Sequence, residues 1–184
     1  MRKFLLLASA TAAFLAAAAL AAPAALAAPA ALAAPAGDAS NPTTFTLTSG
    51  ALSISAPTAS VSLGSQVASA DSSTISGPLG TVTVTDQRGG VTTWTASVIS
   101  TAFTPTAGPA DPASNVSYAA GVIASSATVV ATAVAASDLT GVSPVVTGAS
   151  TGISTASWNP TVSVVVPADF APGTYLATIT HSVA

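Results

Sequence analysis

The sequence predicts an all-β fold: an antiparallel, two-sheet β-sandwich of about nine to eleven strands that follows a secretory signal segment. Three observations carry this expectation. Thr, Ser, Val and Ala dominate after Gly37. Short runs within that stretch alternate apolar and polar residues, the period of a half-buried strand. Gly and Pro recur roughly every ten residues between the runs, the turn spacing of a sandwich or barrel.

Met1, Arg2 and Lys3 form a short cationic start, and residues 4–20 are an uncharged run of Phe, Leu, Ala, Ser and Thr. That is the pattern of a secretory signal. Residues 21–36 repeat Pro-Ala-Ala-Leu-Ala-Ala, with Pro23, Pro29 and Pro35 recurring at the same step. Each proline interrupts a helix, whereas a membrane anchor needs about 20 uninterrupted apolar residues, so the segment reads as cleaved. The cut falls after Ala36, with Ala24 as the rival site. Residues 1–36 are therefore a signal peptide with an Ala/Pro-rich segment, and residues 37–184 one β-sandwich domain, long enough to bury roughly 70% of its unfolded surface. The later apolar stretch 121–136 is short and broken by Ser125, Ser126, Thr128 and Thr132. No membrane span is expected after cleavage, and no sorting tail ends the sequence. The product is expected to be secreted, extracellular and not covalently anchored.

Along the domain, Phe45 and Leu47 alternate with threonines, Leu52 and Ile54 with serines, and Val61 and Leu63 with Ser60 and Ser62. Each run suits a strand. Between 79 and 85, Val82 and Val84 face one way and Thr81, Thr83 and Thr85 the other. Asp86-Gln87-Arg88-Gly89-Gly90 then turns the chain into 91–100, because two glycines take positive φ readily at the end of a short loop; this is the clearest hairpin. Pro105, Pro109 and Pro112 make 104–117 irregular. Residues 118–137 hold helix-forming alanines, but Val129, Val130, Thr132 and Val134 favour one or two strands. Pro144 breaks 142–146 and places it at an edge. Residues 161–166 form a strand closed by Pro167, Pro172-Gly173 a turn, and 174–183 the last strand. Trp94, Val82, Val84, Val98, Tyr175 and Ile179 are expected to share one core.

Removing residues 1–36 takes Arg2 and Lys3 with it, so the formal charge of −3 becomes −5, with Arg88 as the one Lys or Arg against six aspartates. Nucleic-acid binding needs a basic stripe that this balance lacks. The chain has no Cys, which removes thiol catalysis and Cys-ligated zinc. The aspartates are too scattered for a calcium loop. No acid, base and nucleophile cluster in sequence. No enzyme, cofactor or metal is expected.

Two stretches carry a family resemblance when read together. The first is Leu79-Gly80-Thr81-Val82-Thr83-Val84-Thr85-Asp86-Gln87-Arg88-Gly89-Gly90, followed by Trp94-Thr95-Ala96. The second is Trp158-Asn159-Pro160, a valine strand, and Gly173-Thr174-Tyr175-Leu176-Ala177-Thr178-Ile179-Thr180-His181-Ser182-Val183. Over residues 75–184 the chain resembles the WxL domain family of surface proteins from Gram-positive bacteria. The resemblance implies an immunoglobulin-like sandwich that binds the cell wall non-covalently, with peptidoglycan as receptor, often beside other surface proteins. The sequence departs from the family's two Trp-x-Leu motifs: the first ends in Ala96, and the second reads His181-Ser182-Val183.

Four residues are candidates for contact with a wall or partner. Trp94 offers a sugar-stacking face, yet alternation places it with Ala96 and Val98 on a core face. Arg88 offers a bidentate fork to a carboxylate, or else a local pair with Asp86 that stiffens the turn. Trp158, ahead of Asn159-Pro160, is expected near a strand end and partly exposed. His181 shares its face with Tyr175, Ala177 and Ile179, which suits a hydrogen-bonded structural histidine better than a base. Two functions from different classes follow: a module that binds peptidoglycan or an associated wall polymer, or an immunoglobulin-like interaction module that docks on another surface protein. The negative charge opposes adhesion to anionic wall polymers, so contact must be short-range.

Overall fold

A computed structural model describes residues 41–184; the signal segment and the proposed cleavage sites lie outside the described residues. The β-branched, alternating runs become thirteen strands: β1 (Leu52–Ser55), β2 (Ser73–Pro78), β3 (Val82–Asp86), β4 (Thr92–Ser100), β5 (Thr104–Pro105), β6 (Val116–Ala119), β7 (Ile123–Ser125), β8 (Val129–Ala133), β9 (Ser143–Ser150), β10 (Ser154–Trp158), β11 (Thr161–Val166), β12 (Tyr175–Leu176) and β13 (Ile179–Val183). One 3₁₀ turn, Ala113–Asn115, precedes β6. The all-β expectation holds; two more strands than expected appear because β5 and β12 are two-residue pieces. Among the described residues no helix is long and apolar enough to cross a membrane.

The strands make two four-stranded sheets, β1-β3-β10-β7 and β13-β4-β9-β8, a three-stranded sheet β2-β11-β6, and the short pair β12-β5. All pairings are antiparallel. At the margins β1 meets β13 and β7 meets β8, so the two four-stranded sheets close on each other along both edges. The third sheet adds Val116, Tyr118, Val162 and Val164 to the same core as Val82, Val84, Ala156 and Trp158 of one sheet and Trp94, Ala96, Val98 and Val146 of the other. The period-2 pattern read from the sequence is the burial pattern observed: β4 buries Trp94, Ala96, Val98 and Ser100 and leaves the residues between them at the surface or half-buried.

The expected hairpin between β3 and β4 is overturned. Gly89 and Gly90 do take positive φ, at 71° and 70°, but the turn carries the chain from one sheet to the other. β3 pairs with β1 and β10, and β4 with β13 and β9. Both strands present apolar faces, and those faces bury more surface meeting across the core than lying edge to edge. Pro144 likewise sits in an interior strand, not an edge. A bulge between Ala96 and Ser97 passes over Val145, which lets Val145 and Val146 both be buried. β8 ends at Ala133 opposite Val146, so no strand on that side needs a donor from Pro144.

Other local expectations divide. Residues 118–137 form strands, with Ile123–Ser125 and Val129–Ala133 in place of any helix. Residues 174–183 break into β12 and β13, and the second pairs with β4 along Ile179–Val183. Ile179 packs on the core, whereas Tyr175 does not belong to it; it stacks on Phe170 at the surface, because β12 pairs with β5 outside the large sheets. Phe45 and Leu47 alternate as strands do, yet they are 92% and 90% exposed and unpaired. Val61 and Leu63 lie in a loop; Leu63 passes close enough to Gly77 that a side chain there would press on its backbone.

Candidate functional site

The β3–β4 connection holds Arg88 against Asp86. Its Nε donates to Asp86 Oδ1 and its Nη2 to Oδ2, both at 2.9 Å, and Nη2 also donates to the Thr93 carbonyl at 2.9 Å. Asp86 accepts further bonds from the Arg88 backbone N–H at 3.0 Å and the Thr92 hydroxyl at 2.8 Å. The carboxylate is fully buried while Arg88 keeps 31% of its side chain exposed. Of the two roles open to Arg88, the local pair is therefore the one formed. The Arg88 guanidinium, its backbone N–H and Thr92 hold the Asp86 carboxyl well below the usual carboxylate range, against the opposing effect of burial.

Trp94 is buried, as alternation implies, opposite Gly148 on β9. A Cβ at Gly148 would overlap the indole ring, so the glycine is the space that the ring occupies. Trp94 Nε1 is enclosed and has no hydrogen-bond partner.

Trp158 contradicts the expected partial exposure: it is 2% exposed. It shares inward parity on β10 with Ser154 and Ala156, and this parity decides its side despite the adjacent Asn159-Pro160. Trp158 Nε1 donates to Tyr118 Oη at 2.8 Å, and Tyr118 Oη lies 3.1 Å from His181 Nε2. An indole N–H only donates, so Tyr118 Oη accepts from Trp158, and its own proton is free to go to His181 Nε2 when the imidazole carries its proton on Nδ1. The chain of bonds ties together one residue from each of the three larger sheets. Burial pushes the Tyr118 hydroxyl up to about 12 and holds the His181 imidazole below its ordinary value of 6.5. His181 is thus the structural histidine that its apolar face suggests.

Asp86 and His181 are both depressed in the fold, so each stabilises it above its unfolded-state value and loses that contribution as pH falls through the folded-state value. Melting temperature is expected to decline in two steps, one below pH 6.5 and one below 3.8. His181→Gln should remove the upper step alone in a thermal melt series across pH.

None of the four residues expected at a site forms a binding surface together with the others. A groove of about 600 Å³ lies elsewhere among the described residues, within the usual range of ligand sites. Val61, Leu63 and Val67 of the loop 60–69 form one wall, and Ile75, Val164 and Val166 of β2 and β11 another. Phe103, Asp111, Phe170, Tyr175 and Leu176 complete it. Phe170 and Tyr175 stack with ring centroids 5.8 Å apart and planes 11° from parallel, and Tyr175 Oη donates to the Ala171 carbonyl at 2.9 Å. Phe103 and Asp111 bridge through two backbone hydrogen bonds of 2.8 and 2.9 Å. Asp111 is 2% exposed, its Oδ1 accepts from Asn115 Nδ2 at 2.6 Å, and burial pushes its carboxyl up. Sequence reading missed these residues because three distant stretches build the groove. The available signal was local: two aromatics, Phe170 and Tyr175, flank the Pro172-Gly173 turn. Comparison with family models, with curated proteins and with solved structures finds no match for the chain.

Proposed function

We propose that the protein is a non-enzymatic, secreted surface protein that binds the Gram-positive cell wall non-covalently, with peptidoglycan or an associated wall polymer as receptor, in the manner of the WxL family. The observation that carries this reading is the groove: aromatic faces at Phe103, Phe170 and Tyr175 beside a carboxylate, a lining suited to an extended polymer of apolar and polar groups. Trp94-Thr95-Ala96 and His181-Ser182-Val183 lie on neighbouring strands, with Ala96 opposite Val183 and Val98 opposite His181.

Binding should follow the groove, and Trp94, Trp158 and His181 serve the fold that presents it. The purified protein is expected to sediment with insoluble peptidoglycan and to be released by a chaotropic wash, and Phe170→Ala should weaken sedimentation several-fold in a protein that melts like the parent. Failure of the folded parent to sediment with peptidoglycan, with or without wall polymers, would overturn the reading. The alternative, an interaction module that docks on another surface protein, draws on one observation: the exposed, unpaired alternation at Phe45 and Leu47 is strand-like sequence without a partner strand.

A further inference from the structure

Asp111 is the charged side chain that the groove buries. Its backbone is fixed by the bridge to Phe103 and its Oδ1 by Asn115. Oδ2 accepts no hydrogen bond among the described residues, yet the enclosed unpaired side-chain atoms there reduce to Trp94 Nε1. An unpaired oxygen that is not enclosed must face open space, and the space that Asp111 lines is the groove. No arginine or lysine balances it from within, since Arg88 is committed to Asp86 among the described residues. A buried carboxylate without a counter-charge is a costly arrangement unless something else meets it.

We propose that the groove binds a primary ammonium group carried on an extended chain, with the ammonium seated on Asp111 Oδ2 and its aliphatic stem along Phe103, Phe170 and Tyr175. The choice among cations follows from the donors. A metal ion would need several oxygen ligands, whereas no group of three or more metal-ligating side chains occurs among the described residues. A guanidinium pairs best with two uncommitted carboxylate oxygens, and here Oδ1 also serves Asn115. An ammonium is a compact charge on an apolar stem, and it matches one free oxygen in a groove that also carries aromatic faces. The inference deepens the wall-binding reading and rests on it for the polymer, because peptide stems of a wall polymer carry such amines.

The test uses the purified protein and two probes, acetyl-Ala-Lys-Ala-amide and the same peptide acetylated on the lysine amine, measured by calorimetry at neutral pH. The lysine peptide should bind, and acetylation should weaken it by about tenfold or more, since one form leaves the carboxylate unpaired. Asp111→Asn keeps the acceptor for Asn115 and should abolish the discrimination. Its stability should not fall: a carboxyl raised by burial opposes folding once pH passes its unfolded-state value, and the amide removes that opposition. Equal affinity for the two peptides, no binding of the lysine peptide at millimolar concentration, or discrimination that survives in Asp111→Asn would overturn the proposal. A parent that sediments with peptidoglycan but ignores the amine sinks this inference alone. One that binds the lysine peptide but does not sediment sinks the wall reading alone.

Discussion

Trp94→Ala is expected to destabilise the protein by about 3–5 kcal/mol, the range for emptying a well-packed core position of its largest side chain. The indole lies across Gly148 where β4 pairs with β9, in the same buried core as Ala96, Val98 and Val146, and strands fixed by pairing on both sides cannot collapse into the void. Gly148→Ala should also be destabilising, because its methyl group would occupy the ring's place. The pair provides an internal control. In the Trp94→Ala background the Gly148→Ala change should lose most of its effect, so a double-mutant cycle in urea should give a large coupling term. Additive effects would mean that the two residues do not share one space.

Removing residues 180–184 should cost on the order of 3–5 kcal/mol, from lost packing and lost hydrogen bonds together. The deletion takes away most of the pairing between β13 and β4, along with the two bonds that join Thr95 to Ala184. It also leaves the Tyr118 hydroxyl without its partner His181. β4 then becomes an edge strand whose apolar face was built for an interior position, which invites association. A truncated protein that melts at the parent temperature and stays monomeric would show β13 to be dispensable.

Much of the fold was legible because alternation is a direct record of which side of a sheet each residue faces. Val82 with Val84, and Trp94 with Ala96 and Val98, could be assigned to a core from parity alone, and they are buried there. Parity does not say which strand lies beside which. The turn at Asp86 to Gly90 has good hairpin chemistry, and that chemistry serves equally well for a link between facing sheets. Phe45 and Leu47 carry the right period and find no partner among the described strands, because pairing depends on an edge elsewhere in the molecule. Trp158 was misplaced by its neighbours Asn159 and Pro160, although its spacing from Ala156 already indicated the inward side. The groove was hidden for a different reason. Asp111 looks like any loop aspartate until the bridge to Phe103 and the bond from Asn115 bury it.

The long-range bonds between connecting segments also set an order in time. Gly80 waits for the side chain of Asn159, 79 positions on, and Thr101 for the backbone of Thr178, 77 positions on. β4, the longest strand, lacks one of its two neighbours until β13 has been made. Loops of this length must close before any contact rewards them, which places the chain among slow, milliseconds-to-seconds folders. During synthesis the early strands therefore have no complete sheet to join until nearly all of the domain is available. A folding barrier built from distant pairings ties the completion of each larger sheet to strands made late, β10, β11 and β13.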